Sequence, residues 1–249
     1  MTYFKPSPRF VFGGAPRLRE WLNQLSSIHK INEKDSQIFV ADNLITISRV
    51  VGFLEEEKFA NLANQIFASD ELHASIIWRV HVLAWAMNHC RNLNGDFIEF
   101  GCYDAKVAKF LIEYNELKDF DKTFFLYDIF DNPPTEKGPK HSPKLYEEVR
   151  DMLSSYNFVN IIKGLLPKSF EENIPEKISF VHMDLNSAET EIALLKLFFD
   201  RIVPGGILIL DDFGQTAYKE QHDQETDFFK NIDYSVVELP TGQGMVIKR

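Results

Sequence analysis

Four apolar runs in this chain carry acids at or near their ends: Asp96-Phe97-Ile98-Glu99-Phe100, Thr123 through Asp128, Ile178 through Asp184, and Ile207 through Leu210 with Asp211-Asp212 behind it. A carboxylate so placed accepts hydroxyl hydrogens, takes a proton from a reacting group, or ligates magnesium, which seldom uses sulfur or imidazole. Asp128 lies 29 residues beyond Glu99, where a doubly wound fold puts the acid that takes ribose hydroxyls; a plain loop acid or a helix cap is the alternative. Asp184, Asp211 and Asp212 end runs that should be neighbours, so they can converge on one crevice. For one of the last two, capping the next helix is the competing reading. His182 has an ordinary pKa close to neutrality and the same strand parity as Asp184, which makes it a candidate base. Its alternatives are a hydrogen-bonded core histidine or a wall of an adenine pocket. His222, among Lys219, Glu220, Asp223 and Glu225, reads as part of a solvated face.

These acids need a sheet to position them. The run ending at Phe100 suits a buried parallel strand, Gly101 allows a sharp turn, and Val107, Phe110, Leu111 and Tyr114 recur at helical spacing. A strand, a glycine turn and a helix N-terminus together offer free backbone N–H groups to a small polar ligand. Further strands are expected at Thr123–Asp128, Phe158–Lys163, Ile178–Asp184 and Ile207–Leu210, with Pro204-Gly205-Gly206 as the turn into the last. Helices are expected over Lys144–Ser155, Glu189–Ile202 and Tyr218–Phe229. The alternation predicts a parallel sheet with helices on both faces. Tyr234–Leu239 and Met245–Lys248, joined by Pro-Thr-Gly-Gln-Gly, read instead as a hairpin. The connection from Asn132 to Pro143 is long enough for a lid or binding loop, and His141 within it reads as solvated.

Ahead of the sheet, Phe59, Leu62, Ala63, Ile66 and Phe67 share one helix face. Asp70 is a candidate N-cap for a second helix, which buries Ile76, Ile77, Val80, Leu83, Ala84 and Met87. Trp78, Arg79 and His81 on that helix read either as packing with a solvated arginine or as groups set over the ligand pocket. Residues 1 to about 20, with Gly13-Gly14 as a plain turn, should be irregular, and the type of Ile38-Phe39-Val40 is open. The chain divides into residues 1–90, a segment of lid or subunit-contact helices through which it could form a homo-oligomer, and an α/β domain, 91–249.

A net charge of −10 and a pI near 5.2 argue against nonspecific binding to nucleic acid or anionic membrane. Two cysteines, Cys90 and Cys102, make neither a disulfide scaffold nor a zinc cluster. No apolar run approaches the roughly 18 residues of a membrane span, and the N-terminus is no signal peptide, so a soluble cytoplasmic protein is expected.

Taken in order, Asp-Phe-Ile-Glu-Phe-Gly, Leu-Tyr-Asp-Ile-Phe-Asp, His-Met-Asp-Leu-Asn, Val-Pro-Gly-Gly-Ile-Leu-Ile-Leu-Asp-Asp-Phe and Leu-Pro-Thr-Gly-Gln-Gly resemble the S-adenosylmethionine-dependent methyltransferases of the macrocin O-methyltransferase group, from about Asp42 onward. The resemblance implies a Rossmann-like class I methyltransferase fold: a mostly parallel seven-stranded sheet with a terminal antiparallel hairpin and an N-terminal helical extension. It implies S-adenosylmethionine as cofactor, with Glu99 and Gly101 in the cofactor loop, Gly101 approaching the methionine part, and Asp128 on the ribose; Cys102, Tyr103, Ile129, Phe130, Gly164 and His182 are expected beside them on the cofactor side. It implies Asp184, Asp211 and Asp212 as ligands of magnesium; with His182 read from its own chemistry, Asp184, His182 and Asp212 make the expected catalytic set. Two departures stand out: Cys102-Tyr103-Asp104-Ala105 where relatives often carry a further glycine, and His182-Met183-Asp184 where the sugar enzymes have Asp-Gly-Asp. The expected reaction is methyl transfer to a hydroxyl of a sugar or other small natural product, whose proton must leave to a base or be acidified by a cation. The rivals are a methyltransferase-like binding protein without turnover, and a nicotinamide-dependent oxidoreductase, for which the GxGxxG turn is missing.

Overall fold

The computed structural model describes residue 24 and residues 38–47, 49–67, 69–118, 120–131 and 143–249. The readings of residues 1–20 and of His141 lie outside the described residues. The open run at Ile38 forms β1 (Ile38–Ala41), which pairs with β2 (Leu44–Ile47) across a two-residue turn. Asp42 and Asn43 stand at φ 53° and 54°, the left-handed pair a tight hairpin needs and that Asp and Asn tolerate.

Four helices follow: α1 (Gly52–Glu55), α2 (Glu57–Phe67), α3 (Glu71–Ser75) and α4 (Ile77–Cys90). Asp70 is an N-cap, as its type and position predict, accepting from the Leu72 and His73 N–H groups at 3.1 and 3.2 Å. The helix it caps is short, however. The chain leaves helical geometry at Ile76 (φ −112°, ψ 26°), and α4 starts afresh. Its first donors are satisfied from a distance: Asp42 accepts from Trp78 N–H at 2.7 Å and Arg79 N–H at 3.1 Å. The β1–β2 turn therefore caps α4.

The α/β part runs β3 (Asp96–Phe100), α5 (Lys106–Tyr114), β4 (Phe124–Asp128), α6 (Leu145–Leu153), β5 (Val159–Lys163), α7 (Lys168–Glu171), β6 (Ile178–Met183), α8 (Ala188–Phe198), β7 (Ile202–Leu210), α9 (Lys219–Asn231), β8 (Val237–Glu238) and β9 (Gly244–Ile247). The sheet order is β5-β4-β3-β6-β7-β9-β8; β3 to β7 are parallel, and β9 runs antiparallel to both its neighbours. The expected seven strands and terminal hairpin are present. Pro204-Gly205-Gly206 departs from expectation by lying inside β7 rather than before it. The register with β6 shifts between Ile178 and Phe180, and Gly205, at φ 84°, absorbs the irregularity.

Alternation along the strands divides the interior into two cores. Phe97, Phe180, Ile207 and Ile209 face α2, α4 and α5, while Ile98, Phe100, Val181, Met183, Leu208 and Leu210 face α8 and α9. Phe59 and Phe67 of α2 meet Phe110 of α5 with ring centroids 5.0 and 5.2 Å apart, so the N-terminal helices share the first core with the sheet. By the same alternation Glu99 and His182, direct partners in the β3–β6 register, face α4. Among the described residues no helix is long and apolar enough to cross a membrane.

Candidate active site

The loop after β3 places left-handed backbone at every second residue: Gly101 (φ 84°), Tyr103 (47°) and Ala105 (53°). Only the first is a glycine, so the sequence departure at Cys102–Ala105 changes side chains while the backbone keeps turning. A left-handed non-glycine residue costs on the order of 1 kcal/mol, and Asp128 supplies the restraint. Its Oδ2 accepts from Tyr103 N–H at 2.9 Å and its Oδ1 from Phe130 N–H at 2.8 Å. The acid at the tip of β4 thereby ties the β3 and β4 loops together, and each oxygen keeps a lone pair for a further donor. Gly101 makes the expected sharp turn, and it is required for a second reason: a Cβ there would lie 1.9 Å from the Asp184 carbonyl oxygen, so its freedom admits the end of β6. Gly164 likewise makes room for Ser169, whose Cβ would be 2.7 Å from a side chain at that position. Cys102 is buried and its thiol is pushed well up, chiefly by burial. Phe130 packs on Tyr146 at 5.2 Å, and Ile129 is partly buried beside it.

Against this loop stands a compact ionic cluster. His73 reaches Asp70 Oδ2 through Nδ1 at 2.9 Å and Asp104 Oδ1 through Nε2 at 3.3 Å, and Lys106 Nζ lies 2.5 Å from Asp70 and 2.9 Å from Asp104. Burial would depress His73, but the bonds to Asp104 and Asp70 outweigh it and raise its pKa to about 9. Hydrogen bonding to His73 lowers Asp70 in turn, and the same partner outweighs burial at Asp104.

The second cluster lies at the tips of β3, β6 and β7. His182 Nδ1 is 2.9 Å from Glu99 Oε1, and its Nε2 is 3.5 Å from Asp211 Oδ1. With a carboxylate at each ring nitrogen, His182 is raised to about 10 despite its burial. An imidazolium has no lone pair, so His182 in this state donates at both ring nitrogens. Of the two readings of Arg79, the solvated one does not hold. Far from being solvated, it is 2% exposed, with Nη1 2.6 Å from Asp211 Oδ2 and 3.1 Å from Asp212 Oδ1. Trp78 and His81 beside it pack on Phe53, at 5.5 and 4.3 Å between ring centroids. Neither Asp211 nor Asp212 caps α9; both carboxylates turn into this cluster.

Asp184, Asp211 and Asp212 do converge, one oxygen of each lying within 4.8 Å of the others. The donor set nevertheless does not fit a divalent ion. Asp211 Oδ2 and Asp212 Oδ1 accept from Arg79, and Asp211 Oδ1 accepts from Gln243 Nε2 at 2.9 Å while facing His182. A dication about 4 Å from the guanidinium would meet a repulsion of roughly 8 kcal/mol at an effective dielectric of about 20, which offsets the attraction of one carboxylate at the same distance. The acids in excess of the two cations are raised in proton affinity instead. Burial, then Asp211, raises Asp212 to about 6; burial, then Asp211 and Asp212, raises Asp184 well above the carboxylate range; burial raises Asp42 to about 7 against the pull of Arg79. Asp211, held by Arg79 and His182, is lowered in spite of its burial. Asp184 is the partly exposed member, and Glu191 fixes the next residue by accepting from Leu185 N–H at 3.1 Å.

A scan against protein-family models finds no match, and neither does a comparison with curated proteins. Solved structures do match. CalS11, a TDP-rhamnose 3′-O-methyltransferase of calicheamicin biosynthesis, superposes with a TM-score of 0.59 at 12% identity, over 95% of this chain and 96% of its own. The Podospora anserina methyltransferase PaMTH1, solved with S-adenosylhomocysteine bound, gives 0.58 at 12% over 96% and 99%, and the O-methyltransferase NovP gives 0.55 at 18% over 69% and 80%. This is the Rossmann-like methyltransferase fold. At such identities the likeness concerns fold, and the site must be argued from this chain's own residues.

Sequence reasoning left Arg79 between two readings and missed Asp42 and Gln243. Arg79 falls between Ile76 and Leu83 at helical spacing, inside the buried arc, and that placement was the available signal. Asp42 gives no sign beyond its turn. Gln243, buried on the hairpin, lies within a quoted motif, but only the return of β9 beside β7 brings it to Asp211.

Proposed function

We propose that this chain is an S-adenosylmethionine-dependent O-methyltransferase acting on a hydroxyl of a sugar or other small natural product. The observation that carries the proposal is an adjacency at the strand tips of one sheet: a strained loop held by Asp128 beside a partly exposed acid, Asp184, with raised proton affinity. The O-methyltransferases that share the fold support the reading. Glu99 supports it as well, because its Oε2 is buried without a hydrogen-bond partner and so suits a ligand's N–H or O–H.

When bound, the cofactor supplies an electrophilic methyl group on a positively charged sulfur. The chain's residues then have distinct tasks. Asp128 accepts ribose hydroxyls through its free lone pairs, while the backbone of Gly101–Ala105 and the Glu99 carboxylate bound the rest of the cofactor side. Ile129, Phe130 and Gly164 line its adenosine end. Asp184 takes the proton of the acceptor hydroxyl, since a carboxylate whose proton affinity burial has raised is a stronger base than a free one. A cationic group entering the crevice favours its ionised form, so cofactor binding readies the base. The charges of Asp211 and Asp212 beside it sustain that raised proton affinity. His182 and Arg79 hold these acids in place, and α4, from the 1–90 segment, walls the acceptor side.

Calorimetric titration with S-adenosylhomocysteine tests the cofactor assignment. Wild type is expected to bind and Asp128→Ala to lose binding; an unchanged affinity refutes the ribose role. Transfer of labelled methyl to a panel of glycosides and phenols tests the reaction. Binding without transfer to any of them would favour a non-catalytic binding protein.

A further inference from the structure

We propose that Arg79 is the resident cation of the acidic crevice, standing where a divalent ion would bridge Asp211 and Asp212, and that the site works without a metal. A single nitrogen, Nη1, grips both carboxylates at 2.6 and 3.1 Å, the two-acid grip an ion would have. The guanidinium keeps its charge at any working pH, and being covalently attached it cannot be exchanged with solvent. Its placement is enforced from both sides. Asp42 caps α4 at the Arg79 N–H, and Nε lies 3.9 Å from the same carboxylate. The His182 ring sits on the far side of Asp211, with Nε2 3.5 Å from Oδ1. Carboxylates already gripped by a guanidinium have fewer oxygens free for an ion.

Two chemical consequences follow. A guanidinium donates N–H bonds but does not draw on an oxygen lone pair as a Lewis acid does, so the proton of an acceptor hydroxyl must leave to a carboxylate. In addition, Arg79 Nε and Nη2 have no hydrogen-bond partner although the residue is 2% exposed. These buried donors suit an incoming oxygen, which aligns the acceptor beside Asp184. Arg79 is thus a positioning residue for the acids and a contact for the acceptor. The methyltransferase reading is needed only to say what that incoming oxygen belongs to.

Manganese(II) titrated into the full chain, with the free ion followed by electron paramagnetic resonance, tests the assignment. Wild type is expected to leave the ion free, Arg79→Ala to take up one ion per chain, and Arg79→Lys, which keeps the charge, to leave it free again. A merely structural arginine would alter folding without producing this charge-dependent uptake. Stoichiometric uptake by wild type that Asp212→Asn abolishes overturns the proposal, as does a folded Arg79→Ala protein that takes up no ion. Should Arg79→Ala fail to fold, the wild-type and Arg79→Lys titrations decide between the same outcomes. Calorimetry with S-adenosylhomocysteine on the same samples separates the two readings: an ion-free wild type that does not bind it keeps the Arg79 assignment and sinks the methyltransferase proposal.

Discussion

Beside the loop after β3, Asp70 and Asp104 face His73 and Lys106, two acids against two cations; at the tips of β6 and β7, Asp42, Glu99, Asp184, Asp211 and Asp212 face Arg79 and His182. Both clusters set an imidazolium between two carboxylates, yet they behave in opposite ways. In the first, Asp70 and Asp104 are lowered, so every member is content to be charged. In the second, the acids outnumber the cations, and Asp42, Asp184 and Asp212 are all raised. A balanced buried cluster holds geometry. An unbalanced one stores proton affinity, which a base needs and a scaffold does not.

The sharpest way to break this contrast is Asp184→Asn. It is expected to lower turnover by roughly 10²- to 10⁴-fold, the range for a general base, with S-adenosylhomocysteine affinity unchanged. Full activity would move the base elsewhere. Next come two matched neutralisations, read by urea unfolding at neutral pH. Asp70→Asn keeps a capping side chain but removes a paired charge, and is expected to cost about 2 kcal/mol. Asp212→Asn removes an acid that folding forces toward protonation, and is expected to gain on the order of 1 kcal/mol while losing activity. Equal losses at both sites would erase the distinction.

The pH dependence has a sign for each cluster. His73 is raised from 6.5 to about 9, so its contribution to stability is complete below 6.5 and is lost as pH rises through about 9. Asp212 is raised from 3.8 to about 6, so the folded state holds the extra proton and stability declines as pH climbs from 3.8 through about 6. Imidazole titrations followed by NMR should place His73 near 9 and His182 near 10; a value near the ordinary 6.5 at His182 would restore it as a base. The smallest expected effect is Ala105→Gly. Relieving left-handed alanine at φ 53° should stabilise by about 0.5 kcal/mol, measured as a rise in melting temperature.

Much of this architecture was readable locally. The alternation of apolar runs with helical stripes predicts the parallel sheet, and the Pro-Thr-Gly-Gln-Gly turn predicts its antiparallel finish. The acids at the run ends are where a ligand crevice requires them, since strand tips are fixed by the strands themselves. Period-two alternation already puts Glu99, His182 and Asp211 on one face once β3, β6 and β7 are neighbours.

What the order of residues could not settle is which charges meet. Arg79 and Asp211 are 132 positions apart, and Asp42 caps a helix 36 positions onward. The role of each acid depends on its partners: Asp211 is lowered while Asp212, its chain neighbour, is raised, because Arg79 and His182 converge on the first. Strand and helix follow from local periodicity, but a buried charge is defined by whatever the fold brings within a few ångströms of it. Sequence therefore determined the frame and the list of acids. Tertiary packing decided which of them hold the frame and which remain available for chemistry.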